Sequence, residues 1–459
     1  MTIFSTARMK SVAIFALLAL AFVRSETLMK VTFDPSGVKQ LRELSSTIVT
    51  VWANESFNDV SVYAKATAPD VVELSTDEIL FLPSNENNSR FKANFSIYGT
   101  FLGTCNVFLV AVPKEANASA EAPIEKSLLL PVSVIRTKRL ADKIFIITVP
   151  ILVSLIYINF GCALNWTVVK NTLKRPIGPA IGFVSQFLFM PLISFGIGRL
   201  LFPDQPALQL GLFFTGCSPG GGASNIWTVA LNGNLDLSIT MTAISTFASF
   251  AMIPFWVFTL GHIIFEDANL GVPYNKIATI AAGLLVPLII GTLIQFHLPR
   301  VSKFLVKILK PFAVLLIIFI IVFATITNLH LFRFMNWKVF VGGICVPWLG
   351  YVFGALVARI LRQSGCDIIA ISVETGVQNT GISIYLLKFA LEAPESDIAQ
   401  VCPVAVALMT PIPLAILSCI FRLRDCKRGN HLKGAEKLSS QDAETPPDTN
   451  SRNTDQSVY

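Results

Sequence analysis

Two hydrophobic periods divide the chain. From Glu26 to Leu140, apolar and polar residues alternate with period two. The runs are Val31-Thr-Phe33, Thr47-Ile-Val-Thr-Val51, Val60-Ser-Val-Tyr63, Phe91-Lys-Ala-Asn-Phe95 and Val107-Phe-Leu-Val-Ala-Val112. Successive side chains of a strand point to opposite faces, so these runs predict half-buried strands. Asp34-Pro-Ser-Gly37, Pro83-Ser-Asn85 and Pro113-Lys114 separate them as turns. Short strands at this spacing predict an antiparallel β-sandwich of immunoglobulin-like size. Beyond Leu140 the pattern changes to long apolar runs. They lie near Ile144–Leu164, Ile177–Ile197, Ala207–Val229, Leu237–Phe258, Ile277–Phe296, Phe312–Ile326, Val339–Leu361, Ile368–Leu391 and Ile398–Phe421. Most approach the roughly 20 residues that a bilayer core requires, which predicts about nine membrane-spanning helices.

Two of these runs are interrupted. The third contains Gly216-Cys-Ser-Pro-Gly-Gly-Gly-Ala-Ser-Asn225, and three glycines after a proline cannot hold a stable helix. Irregular backbone at membrane depth is tolerated only beside protein or a water-filled cavity. The glycine run is not a phosphate loop, because no Lys-Ser/Thr follows Gly222 and no strand precedes it. The eighth run contains Glu374-Thr-Gly-Val-Gln-Asn379, with Gly376 and Gly381 weakening the helix. Glu374 is the only acidic residue well inside an apolar span. A carboxylate there is costly to bury, which favours a functional role over one satisfied by packing alone. A carboxylate at a helix break has the layout of an ion site in a secondary transporter. The interrupted run is third of four in the first half and fourth of five in the second. That order predicts an inverted repeat whose first half lacks a leading helix.

Composition agrees with a membrane protein. Of 459 residues, 53% are hydrophobic and only 14% charged, against about 25% charged in soluble chains. The net charge of +7 is no nucleic-acid signal, because the basic residues sit in loops and tail beside apolar runs. One set of alternate loops holds Lys170, Lys174, Arg175, Arg300, Lys303, Lys307, Lys310, Arg359, Arg362, Arg422, Arg424, Lys427 and Arg428. The opposite set holds Asp204, Glu266, Asp267, Glu392, Glu395 and Asp397, with Arg333 and Lys338 as exceptions. By the positive-inside rule the N-terminus is outside and the C-terminus cytosolic. Residues 1–25 read as a signal peptide, with Arg8 and Lys10 before the short apolar stretch Ser11–Val23. The domain plan is therefore 1–25 signal peptide, 26–140 extracellular β-sandwich, 141–425 transporter domain and 426–459 disordered cytosolic tail. Sequons at Asn54, Asn87, Asn94 and Asn117 crowd the outer domain and predict glycosylation there. The eight cysteines form no metal pattern, and the outer domain holds only Cys105.

Several segments carry a resemblance. Gln186-Phe-Leu-Phe-Met-Pro191, Cys217-Ser-Pro-Gly-Gly-Gly-Ala-Ser-Asn225, Asn234-Leu-Asp-Leu-Ser-Ile-Thr-Met-Thr242 and Glu374-Thr-Gly-Val-Gln-Asn-Thr380 resemble the signature segments of the bile acid:sodium symporter family. The resemblance covers roughly Ile144 to Phe421. The long N-terminal domain is similar to that of the family's orphan members. The resemblance implies one sodium site from Ser224, Asn225, Ser238, Thr242 and Glu374. It implies a second from Gln186, Glu374, Thr375, Val377 and Gln378, partly through backbone carbonyls. It places Asn225 and Asn379 at the substrate cavity. Hydroxyl, amide and carboxylate oxygens suit a hard cation. Ser238 and Thr242 share one helical face at i, i+4, although hydroxyls at such positions also back-bond to helix carbonyls.

The expected function is sodium-coupled symport of an amphipathic organic anion, bile-acid-like or a sulfated steroid, by alternating access at the plasma membrane. Sodium ions are co-transported ligands, and no cofactor, nucleic acid or enzymatic motif is expected. Two alternatives stand beside this reading: a receptor or adhesion glycoprotein, and a proton-coupled carrier using Glu374. The sequence names neither the substrate nor a partner for the outer domain.

Overall fold

A computed structural model describes residues 27–55, 57, 60–75, 78–83, 90–113, 125–137, 140–268, 270–308 and 335–423. The signal segment 1–25, the sequons at Asn87 and Asn117, the apolar run Phe312–Ile326, Lys310, Arg333 and the tail 426–459 lie outside the described residues. The chain divides into two compact units. One runs to Ile146 and includes Glu392–Ile398; the other holds Ile147–Leu391 and the residues from Ala399 onward.

Among its described residues the first unit carries eleven strands: β1 (Thr27–Met29), β2 (Val31–Asp34), β3 (Val38–Arg42), β4 (Ser46–Ala53), β5 (Val60–Ala66), β6 (Val72–Leu74), β7 (Leu82–Pro83), β8 (Phe91–Gly99), β9 (Gly103–Pro113), β10 (Glu125–Ser127) and β11 (Leu130–Ile135). One sheet has the order β1-β10-β9-β11-β3, with β5 also on β9; the other has β2-β4-β8-β6, with β7 also on β8. Register explains the alternation seen in the sequence. Val49 lies opposite Phe95 and Val51 opposite Ala93, all buried, while Thr50 faces Asn94 and Trp52 faces Lys92 on the outer side. The buried faces of both sheets meet in one apolar core that includes Val49, Val51, Ile97, Val107, Leu109 and Val134. Cys105 belongs to that core, and burial pushes its thiol pKa up to about 11, as expected of a packing residue.

The sandwich is not wholly antiparallel. β1 pairs with β10 and β3 with β11 in parallel. The N-terminal segment causes this. It places β1 in one sheet, β2 in the other and β3 back in the first. Each short segment therefore adds to a free edge instead of turning back on its predecessor. The core makes a direct prediction. Leu109 is fully buried in β9, so Leu109→Ala is expected to cost about 2–5 kcal/mol. The measurement is the temperature at which protease cuts this unit in the full-length protein; an unchanged temperature would contradict a shared core.

The second unit is helical. Its elements are α1 (Leu140–Ala163), α2 (Trp166–Leu173), α3 (Ile177–Leu201), α4 (Pro206–Cys217), α5 (Ser224–Ala230), α6 (Leu235–Asp267), α7 (Tyr274–His297), α8 (Trp337–Ile360), α9 (Gly365–Gly376), α10 (Thr380–Ala390) and α11 (Glu395–Leu423). Among the described residues, α3, α6, α7, α8 and α11 are long and apolar enough to cross a membrane. The pair Ile147–Ala163 and α2, bent by 67°, makes a sixth if counted as one. α4 and α10 are shorter apolar helices. Arg199 at the end of α3 pairs with Asp267 at the end of α6, so these ends lie on one side. Gly350 and Gly354 of α8 let α9 approach closely. A Cβ at Gly350 would stand 3.0 Å from the Thr375 carbonyl, and one at Gly354 3.0 Å from that of Ile371. Small residues one turn apart commonly serve this purpose between membrane helices.

One carboxylate ties together the starts of α6 and α9. Asn234 caps α6 by accepting from the Leu237 N–H, and its amide donates to Asp367 Oδ1 at 2.7 Å. Ser364 caps α9 by accepting from the Asp367 N–H, and its hydroxyl donates to Asp367 Oδ2 at 2.7 Å. Asp367 thus holds both capping side chains in place, near two helix N-termini that favour negative charge. Asp367→Ala is expected to cost about 1–3 kcal/mol. It should appear as a lowered midpoint of thermal unfolding in detergent. An unchanged midpoint would make the bridge a surface contact of no consequence.

Candidate functional site

The site forms where two helices are interrupted. α4 stops at Cys217 because Pro219 has no N–H and Gly220–Gly222 add no helix propensity. α9 stops at Gly376. Gly376 is packed so closely on Tyr351 that a Cβ would overlap the ring. The two unwound segments then bond to each other. The Gly221 N–H donates to the Val377 carbonyl at 2.8 Å, and the Asn379 N–H donates to the Pro219 carbonyl at 2.9 Å. Gly220 and Gln378 form an antiparallel bridge. Backbone groups that would otherwise be stranded inside an apolar unit are satisfied in this way.

Glu374, on the last turn of α9, is 2% exposed. Its Oε2 accepts from Ser224 Oγ at 2.6 Å and from Ser238 Oγ at 3.3 Å. Thr242 Oγ1 stands 3.4 Å from Ser224 Oγ, and Thr228 donates to Ser238 Oγ at 3.2 Å. Ser224, Ser238, Thr242 and Glu374 are thus brought together from α5, α6 and α9. Asn225 follows Ser224, and its Oδ1 is buried with no hydrogen-bond partner. Thr242 also donates to the Ser238 carbonyl at 3.0 Å. Its hydrogen is therefore directed along its own helix, which leaves oxygen lone pairs for the cluster.

A second group lies beside the first. Gln378 Nε2 donates to the Thr375 carbonyl at 2.7 Å, which turns Gln378 Oε1 toward Gln186. Gln186 Nε2 donates to that oxygen at 2.8 Å and to the Ser218 carbonyl at 2.6 Å. These acceptors fix the orientation of Gln186 and leave its Oε1 buried without a donor. Thr375 Oγ1 donates to the Ile371 carbonyl, and the Thr375 carbonyl is the one that accepts from Gln378. The Val377 carbonyl already accepts from Gly221 and keeps its second lone pair. Gln186 itself sits in a wide π-type turn, Ser185–Phe189, inside α3. Pro191 follows this turn and cannot donate to the Phe187 carbonyl; the indole of Trp256 donates to it instead at 2.7 Å. Such turns occur often at functional sites, and nothing in the residue pattern marks this one.

Glu374 Oε1 is buried and has no hydrogen-bond partner among the described residues. It lies so close to Gly220 that a Cβ there would overlap it. Glu374 and Gln186 line a small cleft between α3 and α6, with Ser245, Met241 and Phe183 on its walls. Not every expected residue joins the site in the same way. Asn379 Oδ1 caps α10 by accepting from the Ile382 N–H, which fixes the side chain's orientation and leaves its amide nitrogen as the donor. Ser218 and Gly220 of the interrupted third run also take part, and so do Thr228 and Ser245, which the sequence does not single out. Asn54 and Asn94 lie in the other unit, both exposed; Asn94 Oδ1 accepts from Thr50 Oγ1 at 3.0 Å.

Comparison with known proteins gives this arrangement its context. Residues 150–333 match the Sodium Bile acid symporter family. The human P3 protein is 31% identical over 261 residues, 56% of this chain and 54% of its own length. The human ileal sodium/bile acid cotransporter is 30% identical over 253 residues, 55% of this chain and 72% of its own length. The bovine sodium-dependent organic anion transporter is 29% identical over 256 residues, 55% of this chain and 67% of its own length. The chain spans about half the length of the P3 proteins it matches. Its apolar helices and these relatives mark an integral membrane protein, and the chain belongs to the sodium bile acid symporter family.

Proposed function

We propose that the protein is a sodium-driven symporter of an amphipathic organic anion, bile-acid-like or a sulfated steroid. One observation carries the reading: the buried cluster has an excess of acceptors. Glu374 Oε1, Gln186 Oε1 and Asn225 Oδ1 are all buried oxygens without a donor among the described residues. Buried polar atoms are rarely left so, and several acceptors around one carboxylate call for a cation. The oxygens are hydroxyl, amide, carboxylate and carbonyl, the set a hard cation takes. Among the described residues no three His, Cys, Asp or Glu side chains gather, so the donor set differs from that of a zinc or iron centre.

In this reading Ser224, Asn225, Ser238, Thr242 and Glu374 hold one sodium ion. Gln186, Glu374, Thr375, Val377 and Gln378 hold the second. One carboxylate shared by two cations offsets the cost of its own burial. Sodium links α5, α6 and α9 to the unwound backbone and so organises the crossing beside which the anion binds, with Asn225 and the Asn379 amide toward it. The names of the ileal cotransporter and of the organic anion transporter support this substrate class. Nine spans follow from the five long helices, the bent pair, the two broken pairs α4/α5 and α9/α10, and Phe312–Ile326. The two broken pairs then occupy matching places in an inverted repeat, and its halves rock about the crossing.

Glu374→Gln keeps the shape and removes the charge. It is expected to abolish sodium-stimulated uptake of a labelled anion panel into proteoliposomes while the protein still folds, since a neutral amide is cheaper to bury. Unchanged sodium dependence would overturn the shared carboxylate. Uptake that follows pH and ignores sodium would favour the proton-coupled alternative. A receptor or adhesion protein would move no anion under either condition.

The orientation is part of the proposal: N-terminus outside, C-terminus cytosolic, at the plasma membrane. Endoglycosidase should shift the mobility of the protein, and replacing Asn54, Asn87, Asn94 and Asn117 by Gln should abolish the shift. Asn165-Trp-Thr167 should stay unmodified, because the loop after the first span is cytosolic in this scheme. A glycan on Asn165 would reverse the assignment.

A further inference from the structure

The cleft between α3 and α6 has a third oxygen besides those of Glu374 and Gln186. Ser245 stands two turns beyond Ser238 on α6 and is 4% exposed. Its hydroxyl donates to the Thr242 carbonyl at 3.1 Å. The Gly220 N–H donates to Ser245 Oγ at 3.3 Å. With its hydrogen turned back into the helix, Ser245 Oγ offers the cleft an acceptor and no donor. The oxygen also flanks the gap that the glycine leaves open. The point where a Gly220 Cβ would stand is 3.4 Å from Ser245 Oγ, and Glu374 Oε1 lies closer still. Three buried oxygens on one small cleft, two of them without any donor, are arranged for a cation and not for an anion or an apolar group.

The walls of the cleft suggest how an ion would pass. Met241 lies across α3 at Gly182, so close that a Cβ there would overlap the methionine methyl. Met241 is buried beside Ile181 and Leu237, and its unbranched thioether has more rotamers than Leu or Ile. Phe183, on the facing α3 wall, is 38% exposed. The lining of the cleft therefore extends from the buried carboxylate, past the Met241 thioether, to an exposed residue of α3.

We propose that the cation exchanges with Glu374 Oε1 through this α3/α6 cleft and that Ser245 supplies a coordinating hydroxyl oxygen along it. The inference rests on the sodium reading above, but it assigns a ligand and a route that the ligand sets named there do not contain. Three proteins are compared in detergent: wild type, Ser245→Ala and Ser245→Cys. Thermal stability is followed against sodium concentration, because a ligand of the folded state stabilises it by mass action. Ser245→Ala is expected to raise the sodium midpoint about fivefold. In Ser245→Cys, a small cationic methanethiosulfonate should modify the introduced thiol, read by mass spectrometry of that peptide, and sodium should slow the reaction at the concentrations that stabilise the protein. A wild-type midpoint in Ser245→Ala overturns the proposal. So does a Ser245→Cys protein whose new thiol is not modified, or is modified at a rate sodium does not alter. A wild type that sodium fails to stabilise removes the symport reading itself and this inference with it.

Discussion

The helical unit depends on how one buried charge is accommodated. Glu374 is enclosed by α5, α6 and the break in α9, and an isolated carboxylate in such surroundings is among the most expensive groups to bury. Two serine hydroxyls donate to Oε2. Nothing among the described residues donates to Oε1. The donors hold the carboxylate in position through one oxygen, and its other oxygen is left as a buried acceptor. The clasp of Asp367 on the starts of α6 and α9 has a bearing on this. Ser238 lies one turn from one cap, and Glu374 lies roughly three turns from the other. Their 3.3 Å separation is set by the relative height of the two helices.

Irregular backbone is the second constraint, and it is met reciprocally. Pro219 and the glycines end α4, and Gly376 ends α9, so each break strands carbonyls and N–H groups in an apolar interior. Each break uses the other as its partner, through Gly221 to Val377 and Asn379 to Pro219. Gln186 reaches in from α3 to take the Ser218 carbonyl. Three separate stretches of sequence are thereby locked at one point. Moving one of them disturbs the oxygens contributed by all three, which is the property a coupling site needs.

Much of this was legible in the sequence because it follows from local rules. Alternation located β2, β4, β5, β8 and β9, since one buried face imposes period two on the residues that form it. It missed β1, β3, β6, β7, β10 and β11, mostly short segments whose pairing depends on a distant neighbour. The parallel pairs β1/β10 and β3/β11 have no local signature at all. Glu374 stood out because charge is rare in apolar spans, and the glycine run stood out because it breaks a helix. Ser245 did not stand out. Ser249 and Thr246 on the same helix are equally polar and equally buried, and both merely donate to carbonyls of their own helix. Only three dimensions separate the hydroxyl beside Gly220 from its neighbours. The wide turn at Ser185–Phe189 was hidden for a similar reason, because a shift from i−4 to i−5 bonding changes no residue type.

Back-bonding and ion coordination look like rival roles for Ser238 and Thr242 in the sequence. Ser238 donates to Glu374 and not to its own helix, and for Thr242, which does back-bond, the two roles need not compete. A hydroxyl has one hydrogen and two lone pairs. Thr242 and Ser245 commit the hydrogen to carbonyls of α6, and Thr375 commits its own to α9. Each bond fixes the rotamer and removes the only donor from the site. What remains is oxygen lone pairs. A surface made this way repels an anion and offers a neutral hydrogen-bond donor or a cation the only favourable contacts. The commonplace helix bond is then what gives the site its polarity, and the same bonds in Ser249 and Thr246, away from the carboxylate, leave those hydroxyls as ordinary packing groups. Discrimination between the two cases lies in position relative to Glu374 and Gly220, not in the chemistry of the residue.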